Sequence, residues 1–132
     1  MKKFIKVIEA IIENEKNEIL CALRSPHMSL PNCWEFPGGK VEKGENIPTA
    51  IIREIQEELH CTIECKELFH DITYEYDTFT INLITLKCHI LVGTPISIEH
   101  SKLIWLKREN LLSLNWAPAD ITTVEKLISE EV

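Results

Sequence analysis

The sequence predicts an α/β fold in which helices pack on a mixed β-sheet. Runs rich in β-branched and aromatic residues alternate with helical periodicity in the order β-β-α-β-β-β-α. The strongest helical stretch places Ile51, Ile52, Ile55 and Leu59 along one stripe beside an acidic face, as a helix anchored to a sheet requires. A chain of 132 residues with 45% hydrophobic content suits one globular domain over residues 1–132, and no linker, repeat or low-complexity tract interrupts it.

Residues 3–12 alternate enough to form a strand, residues 14–17 supply a polar turn, and residues 18–24 are expected to return as the hairpin partner. Pro26, Pro31 and Pro37 make residues 25–37 a loop, with one short strand at 34–36. Asn46 is placed to cap the acidic helix, and Pro48 fits its first turn, where a missing N–H costs nothing. Residues 62–76 and 78–91 read as strands joined near Asp77, and 102–106 as a further short strand. Residues 108–112 and 119–131 read as helices, with Pro118 near the start of the second.

Charge and cysteine usage narrow the function. Fourteen basic against 21 acidic side chains give a net charge of −7, which argues against binding nucleic-acid polymer or an anionic membrane surface. No apolar run reaches the length of a transmembrane helix. The start, MKKFIKVIEAII, is broken by Lys6 and Glu9 and lacks a small-residue cleavage site, so it reads as an edge strand rather than a signal peptide. Five cysteines at irregular spacing suit a reducing cytoplasm. His60, Cys61, Cys65 and His70 lack the C-x2-C spacing of a zinc site, and buried reduced thiols are the plainer reading.

The most informative stretch is GGKVEKGENIPTAIIREIQEELHC, residues 38–61. Glu54, Glu57 and Glu58 fall at i, i+3 and i+4, on one helix face. Like charges at that spacing destabilise a helix by a few tenths of a kcal/mol, so the face favours a cation. Carboxylates without Cys or His among them select a hard ion such as Mg²⁺ or Mn²⁺, and Mg²⁺ typically bridges carboxylates to substrate phosphates. The bland alternative is a solvated acidic surface helix. Such a helix has no need for its exact spacing to Gly39 or for the preceding EFPGG turn.

The stretch resembles the box of the Nudix family, G-x5-E-x7-R-E-U-x-E-E-x-G-U with U a bulky aliphatic residue. Gly39, Glu45, Arg53, Glu54, Ile55, Glu57 and Glu58 meet it in register, while His60 replaces its glycine and Cys61 its last aliphatic residue. A histidine where the helix should close in a left-handed turn is expected to cost stability or shift the helix end. The resemblance implies the family's α/β/α sandwich. It also implies metal ligation by Glu54, Glu57, Glu58 and the Gly39 carbonyl, with Glu54 the first choice for orienting or deprotonating the attacking water. Arg53, expected on another side of the helix from Glu54, would pair with Glu45 or Glu57 and orient a ligand carboxylate.

Outside the box, NEIL, then Arg24, His27, Met28 and WEFPGGK, looks like the MutT branch of that family, the nucleoside triphosphate pyrophosphohydrolases. That likeness implies attack on the β-phosphorus and release of nucleoside monophosphate and pyrophosphate. By the same likeness Arg24 contacts nucleotide, although it also reads as an exposed strand end. Glu99, six residues before Trp105, would be a further metal ligand or an ordinary loop glutamate. Asp120, in WAPAD, would read the base or cap the last helix. An ionised aspartate only accepts hydrogen bonds, which suits cytosine N4–H₂ or the guanine N1–H and amino group. Trp34, Tyr74 and Tyr76 are candidates to stack on a base, or core aromatics.

The implied activity is therefore Mg²⁺-dependent hydrolysis of a nucleoside triphosphate in the cytoplasm, by a monomer or homodimer. 8-Oxo-dGTP sanitation leads, and a (d)CTP or modified-cytidine pyrophosphohydrolase follows. Hydrolysis of ADP-ribose or dinucleoside polyphosphates ranks third. A non-catalytic nucleotide sensor is disfavoured because all three box glutamates remain. An isomerase relying on Cys33 is less fitting still.

Overall fold

The computed structural model describes residues 2–130. Its elements are β1 (Lys3–Ile12), β2 (Glu18–Leu23), β3 (Trp34–Glu35), β4 (Gly38–Lys40), α1 (Ile47–Leu59), β5 (Thr62–Glu75), β6 (Phe79–Val92), β7 (Lys102–Lys107) and α2 (Ile121–Ser129). Short 3₁₀ turns at Arg108–Ser113 and Pro118–Asp120 replace the α-helical starts expected there. The last position of the expected final helix, Glu131, lies outside the described residues.

Two sheets form where the sequence suggested one. The larger is mixed, in the order β4-β1-β6-β5, with β1 and β6 parallel and the other pairs antiparallel. The smaller is antiparallel, β3-β2-β7. The expected β1–β2 hairpin is reduced to a turn closed by one bridge between Glu13 and Ile19. Asn14 builds that turn, its side-chain oxygen accepting from the Lys16 and Glu18 amides. A strand has only two edges, and those of β1 are taken by β4 and β6, so β2 pairs elsewhere.

The period-2 alternation of β1 sets the layers. Ile8, Ala10 and Ile12 face the core under α1 with Ile51, Ile55 and Leu59. Ile11, on the opposite face, joins Phe36, Trp116, Val124 and Leu127 in a second core beneath α2. Helix, sheet and helix stack as in an α/β/α sandwich. Each fully buried Ile or Leu contributes about 1.5–3 kcal/mol relative to exposure. Trp34 packs against the second core, so its apolar bulk is structural. Among the described residues, no helix is long and apolar enough to cross a membrane.

Candidate active site

Helix α1 begins where its chemistry dictates. The Asn46 side chain accepts from the Thr49 amide at 2.9 Å, and proline occupies the first turn. At the other end His60 closes the helix at φ 55°, ψ 37°, its amide donating to the Gln56 carbonyl at 3.1 Å. The histidine therefore adopts the left-handed conformation itself, and the helix end does not shift. The Leu59 carbonyl at this end accepts from the Ile96 amide at 3.0 Å, tying the β6–β7 loop to the helix.

The helix presents its acids to β4 through two glycines. A Cβ at Gly39 would lie 2.5 Å from the Glu54 carboxyl carbon, so the carboxylate packs directly on the glycine backbone. A Cβ at Gly38 would collide with the Ile8 carbonyl of the neighbouring strand and sit 2.7 Å from Glu9 Cα. Both positions need glycine for close approach.

Arg53 organises the carboxylates. Its Nε donates to Glu45 Oε2 at 2.6 Å and its Nη2 to Glu45 Oε1 at 2.8 Å. Nη1 reaches Glu54 at 2.9 Å and Glu57 at 3.3 Å. The pairing with Glu45 and Glu57 matches the expectation, whereas separation from Glu54 does not hold, because the long side chain folds back along the helix. The bidentate Arg53 contact, with a bond between Glu45 and the Glu42 backbone, brings the Glu45 carboxyl down to about 2.

The other acids move the opposite way. Burial raises Glu54, and Arg53 opposes it only in part. Burial, followed by the field of Glu54, Glu35 and Glu99, pushes Glu58 up to about 8, while a bond from the Gly38 backbone pulls it down. Glu58 Oε2 is buried without a hydrogen-bond partner. Glu57 lies further out, its side chain 59% exposed, and Glu99 is exposed on the loop before β7.

Among the described residues no group of three or more His, Cys, Asp or Glu side chains is gathered as an ion cage. Arg53 occupies part of the space between Glu54 and Glu57. The donor chemistry nevertheless fits a hard divalent cation. It is all oxygen, Glu58 has an orphaned buried oxygen, and the Glu54 carboxylate is cradled on Gly39.

A cleft of about 350 Å³ runs from Gly38, Gly39 and Glu58 towards Tyr76, Phe79 and Asp120. Tyr76 and Phe79 stack with ring centroids 4.8 Å apart, and the Tyr76 hydroxyl accepts from the Ala119 amide at 3.0 Å. Arg24 lines the cleft rather than standing free in solvent. It donates to Glu35 Oε1 at 2.8 Å and to the Ser29 carbonyl at 2.6 Å. His100 Nε2 meets the other Glu35 oxygen at 2.8 Å.

Asp120 stands at the N-cap of α2 but makes no side-chain cap bond. It is buried, with Oδ1 lacking a partner, and burial raises its carboxyl to about 7. Beside it lies Glu9, buried in the middle of β1, with Oε1 also lacking a partner. Burial and the neighbouring Asp120 raise Glu9 well above the ordinary carboxylate range.

The structure thus brings Gly39, Glu45, Arg53, Glu54, Glu57 and Glu58 into one locus, with Arg24 and Asp120 along the same cleft. Glu99 stays on the exposed loop, linked to Glu58 by its field. Glu9, Glu35 and His100 escaped the sequence reading. For Glu9 the signal was present: Ile5, Val7, Glu9 and Ile11 share one strand face, where an isolated acid is out of character. For Glu35 and His100 no local pattern exists, because their contact is long-range.

Comparison with known proteins agrees with this architecture. The NUDIX domain family model matches residues 9–126. The 8-oxo-dGTP diphosphatase of Escherichia coli is 34% identical over 127 residues, covering 96% of this chain and 98% of that protein. The CTP pyrophosphohydrolase of the same organism is 35% identical, again over 127 residues, covering 96% and 93%. The solution structure of the MutT protein of methicillin-resistant Staphylococcus aureus superposes with a TM-score of 0.80 at 47% identity, covering 99% of this chain and all of that one.

Proposed function

This chain belongs to the Nudix hydrolase family, and on that footing we propose that it cleaves a nucleoside triphosphate to nucleoside monophosphate and pyrophosphate. The observation that carries the reading is the continuity of the cleft. Its acidic end, at Gly39 and Glu58, opens directly into a wall of Tyr76 and Phe79 that ends on Asp120. Phosphates and a base can be held at opposite ends of one groove.

Glu54, Glu57 and Glu58, with the Gly39 carbonyl and Glu99, would hold Mg²⁺, or Mn²⁺ in its place. When bound, the ion neutralises phosphate oxygens and lowers the pKa of an attacking water. Glu54 is our first choice to orient that water or take its proton, a reading supported by the burial that raises its basicity and by its bond from Arg53. Arg53 in turn is held by Glu45, so these two position the reacting carboxylate without touching substrate. Arg24, already held by Glu35 and Ser29, is preorganised to contact the nucleotide.

We favour 8-oxo-dGTP as substrate, in keeping with the activity named for the bacterial relative, and hence a nucleotide-pool role in the cytoplasm. A cytidine triphosphate is the second reading. Asp120 favours it, since an acceptor without a capping duty is free to take the cytosine amino group. The test is pyrophosphate release from 8-oxo-dGTP, dGTP, dCTP, 5-methyl-dCTP and ADP-ribose, with Mg²⁺ and with EDTA, beside Glu57→Gln. Turnover that needs metal and is lost in the variant supports hydrolysis, and the preferred base decides between the readings. Binding without turnover would leave a sensor.

A further inference from the structure

We propose that Glu9 is a specificity-determining residue. Together with Asp120 it forms a carboxyl pair sharing one proton, in which Glu9 donates to the nucleobase edge and Asp120 accepts from it. This rests on the nucleotide reading above and extends it to a residue on a different strand.

Burial and geometry carry the argument. Glu9 and Asp120 are 4% and 3% exposed, line the same cleft and lie side by side, close enough that each shifts the other. Neighbouring buried carboxyls can satisfy each other only when one carries a proton, because two ionised carboxylates only accept. Among the described residues no cation is hydrogen-bonded to either acid; the bonds of nearby Arg24 run to Glu35 and Ser29. Two like charges this deep cannot both ionise at small cost. Each acid also keeps one buried oxygen without a protein partner, left available to a ligand in the cleft.

The surroundings point to a base. Both acids line the cleft beside the stacked Tyr76 and Phe79 rings. Torsion about the terminal carboxyl bond is soft, so either oxygen can turn towards a ligand without moving the backbone. Glutamate is the more basic of the two side chains, and Glu9 is buried in the middle of β1, so Glu9 keeps the shared proton. Protonated Glu9 then offers O–H to a ring nitrogen or carbonyl, and ionised Asp120 takes an N–H. Among the other titratable and charged groups in the cleft, Glu35 raises both acids and Arg24 lowers both, while Tyr76, His100, Glu58 and Lys40 complete its charge.

The experiment is metal-free calorimetric binding of dCMP, dGMP, 8-oxo-dGMP and base-less deoxyribose 5-phosphate. It compares wild type, Glu9→Gln and Glu9→Ala, with thermal melts to check folding. Wild type should prefer one nucleotide over the sugar phosphate by about tenfold or more, the scale of one or two buried hydrogen bonds. Glu9→Ala should erase most of that preference, and Glu9→Gln, which keeps a donor and an acceptor, should retain it. With dCMP, whose edge loses no proton in the range, wild-type affinity should fall at alkaline pH as Glu9 ionises. Glu9→Gln should abolish that fall. Absence of base preference in wild type, or an unchanged preference and pH profile in both variants, would overturn the assignment. Hydrolysis is scored separately. Failure to turn over any triphosphate, beside a Glu9-dependent preference, would sink the hydrolytic reading and leave this one standing.

Discussion

Arg53 grips Glu45 in a two-pronged contact, Nε to Oε2 at 2.6 Å and Nη2 to Oε1 at 2.8 Å, and spends its remaining nitrogen on Glu54 and Glu57. The guanidinium is thereby a ruler between the loop before α1 and the acids on it. A lysine keeps the charge and loses the fork. Arg53→Lys should therefore reduce kcat by about 10–100-fold with a smaller change in KM, as steady-state kinetics would report. Glu45 sits at about 2 through this contact, so its contribution is full above the ordinary carboxylate range and is lost progressively as pH falls from there through about 2. The ruler should survive mild acid, visible as an unchanged Glu45 carboxyl NMR signal down to about pH 3.

Glu58 carries the opposite sign. Its folded value is raised to about 8, so metal-free protein is favoured by protonation, and that stabilisation is lost as pH rises from the ordinary carboxylate value through about 8. A divalent cation competes with the proton and offsets the loss. Mg²⁺ should raise the melting temperature more at about pH 8.5 than at about pH 6, and Glu58→Gln should flatten both the pH dependence and the metal response. A metal response that is independent of pH would remove Glu58 from the ligand set.

The two glycines of β4 should fail differently. Gly39→Ala pushes on the end of a side chain, the Glu54 carboxylate. We expect a folded protein with activity down about 100-fold or more, because the displaced group is the proposed base. Gly38→Ala pushes on the Ile8 backbone instead, and should cost several kcal/mol of stability, roughly the upper range for a point substitution. Denaturant melts of the two variants would separate the cases.

His60 holds a left-handed conformation at φ 55° that an L side chain occupies at a cost of about 1 kcal/mol. Glycine removes that strain and adds some unfolded-state entropy. His60→Gly should stabilise by about 0.5 kcal/mol and raise the melting temperature by about 1–3 °C, leaving kcat unchanged. A loss of stability would mean that the exposed imidazole makes a compensating contact.

Helix α1 was legible without a structure. Its cap at Asn46, its apolar stripe and the acids at 54, 57 and 58 all follow from the 3.6-residue period, a property of neighbouring residues alone. The glycine turn was visible in the sequence too, and the pairing of Arg53 with Glu45 or Glu57 came with the Nudix resemblance. The partition into two sheets did not, because it depends on which strand claims each edge of β1.

The same holds for the cleft. Glu9 meets Asp120, and Glu35 meets Arg24 and His100, only once parallel pairing of β1 with β6 and antiparallel pairing of β2 with β7 bring distant segments together. Residue type and spacing determined where the acids of the helix stand. Long-range strand pairing and burial decided which acids lose their water, and so which of them are pushed towards the protonated form.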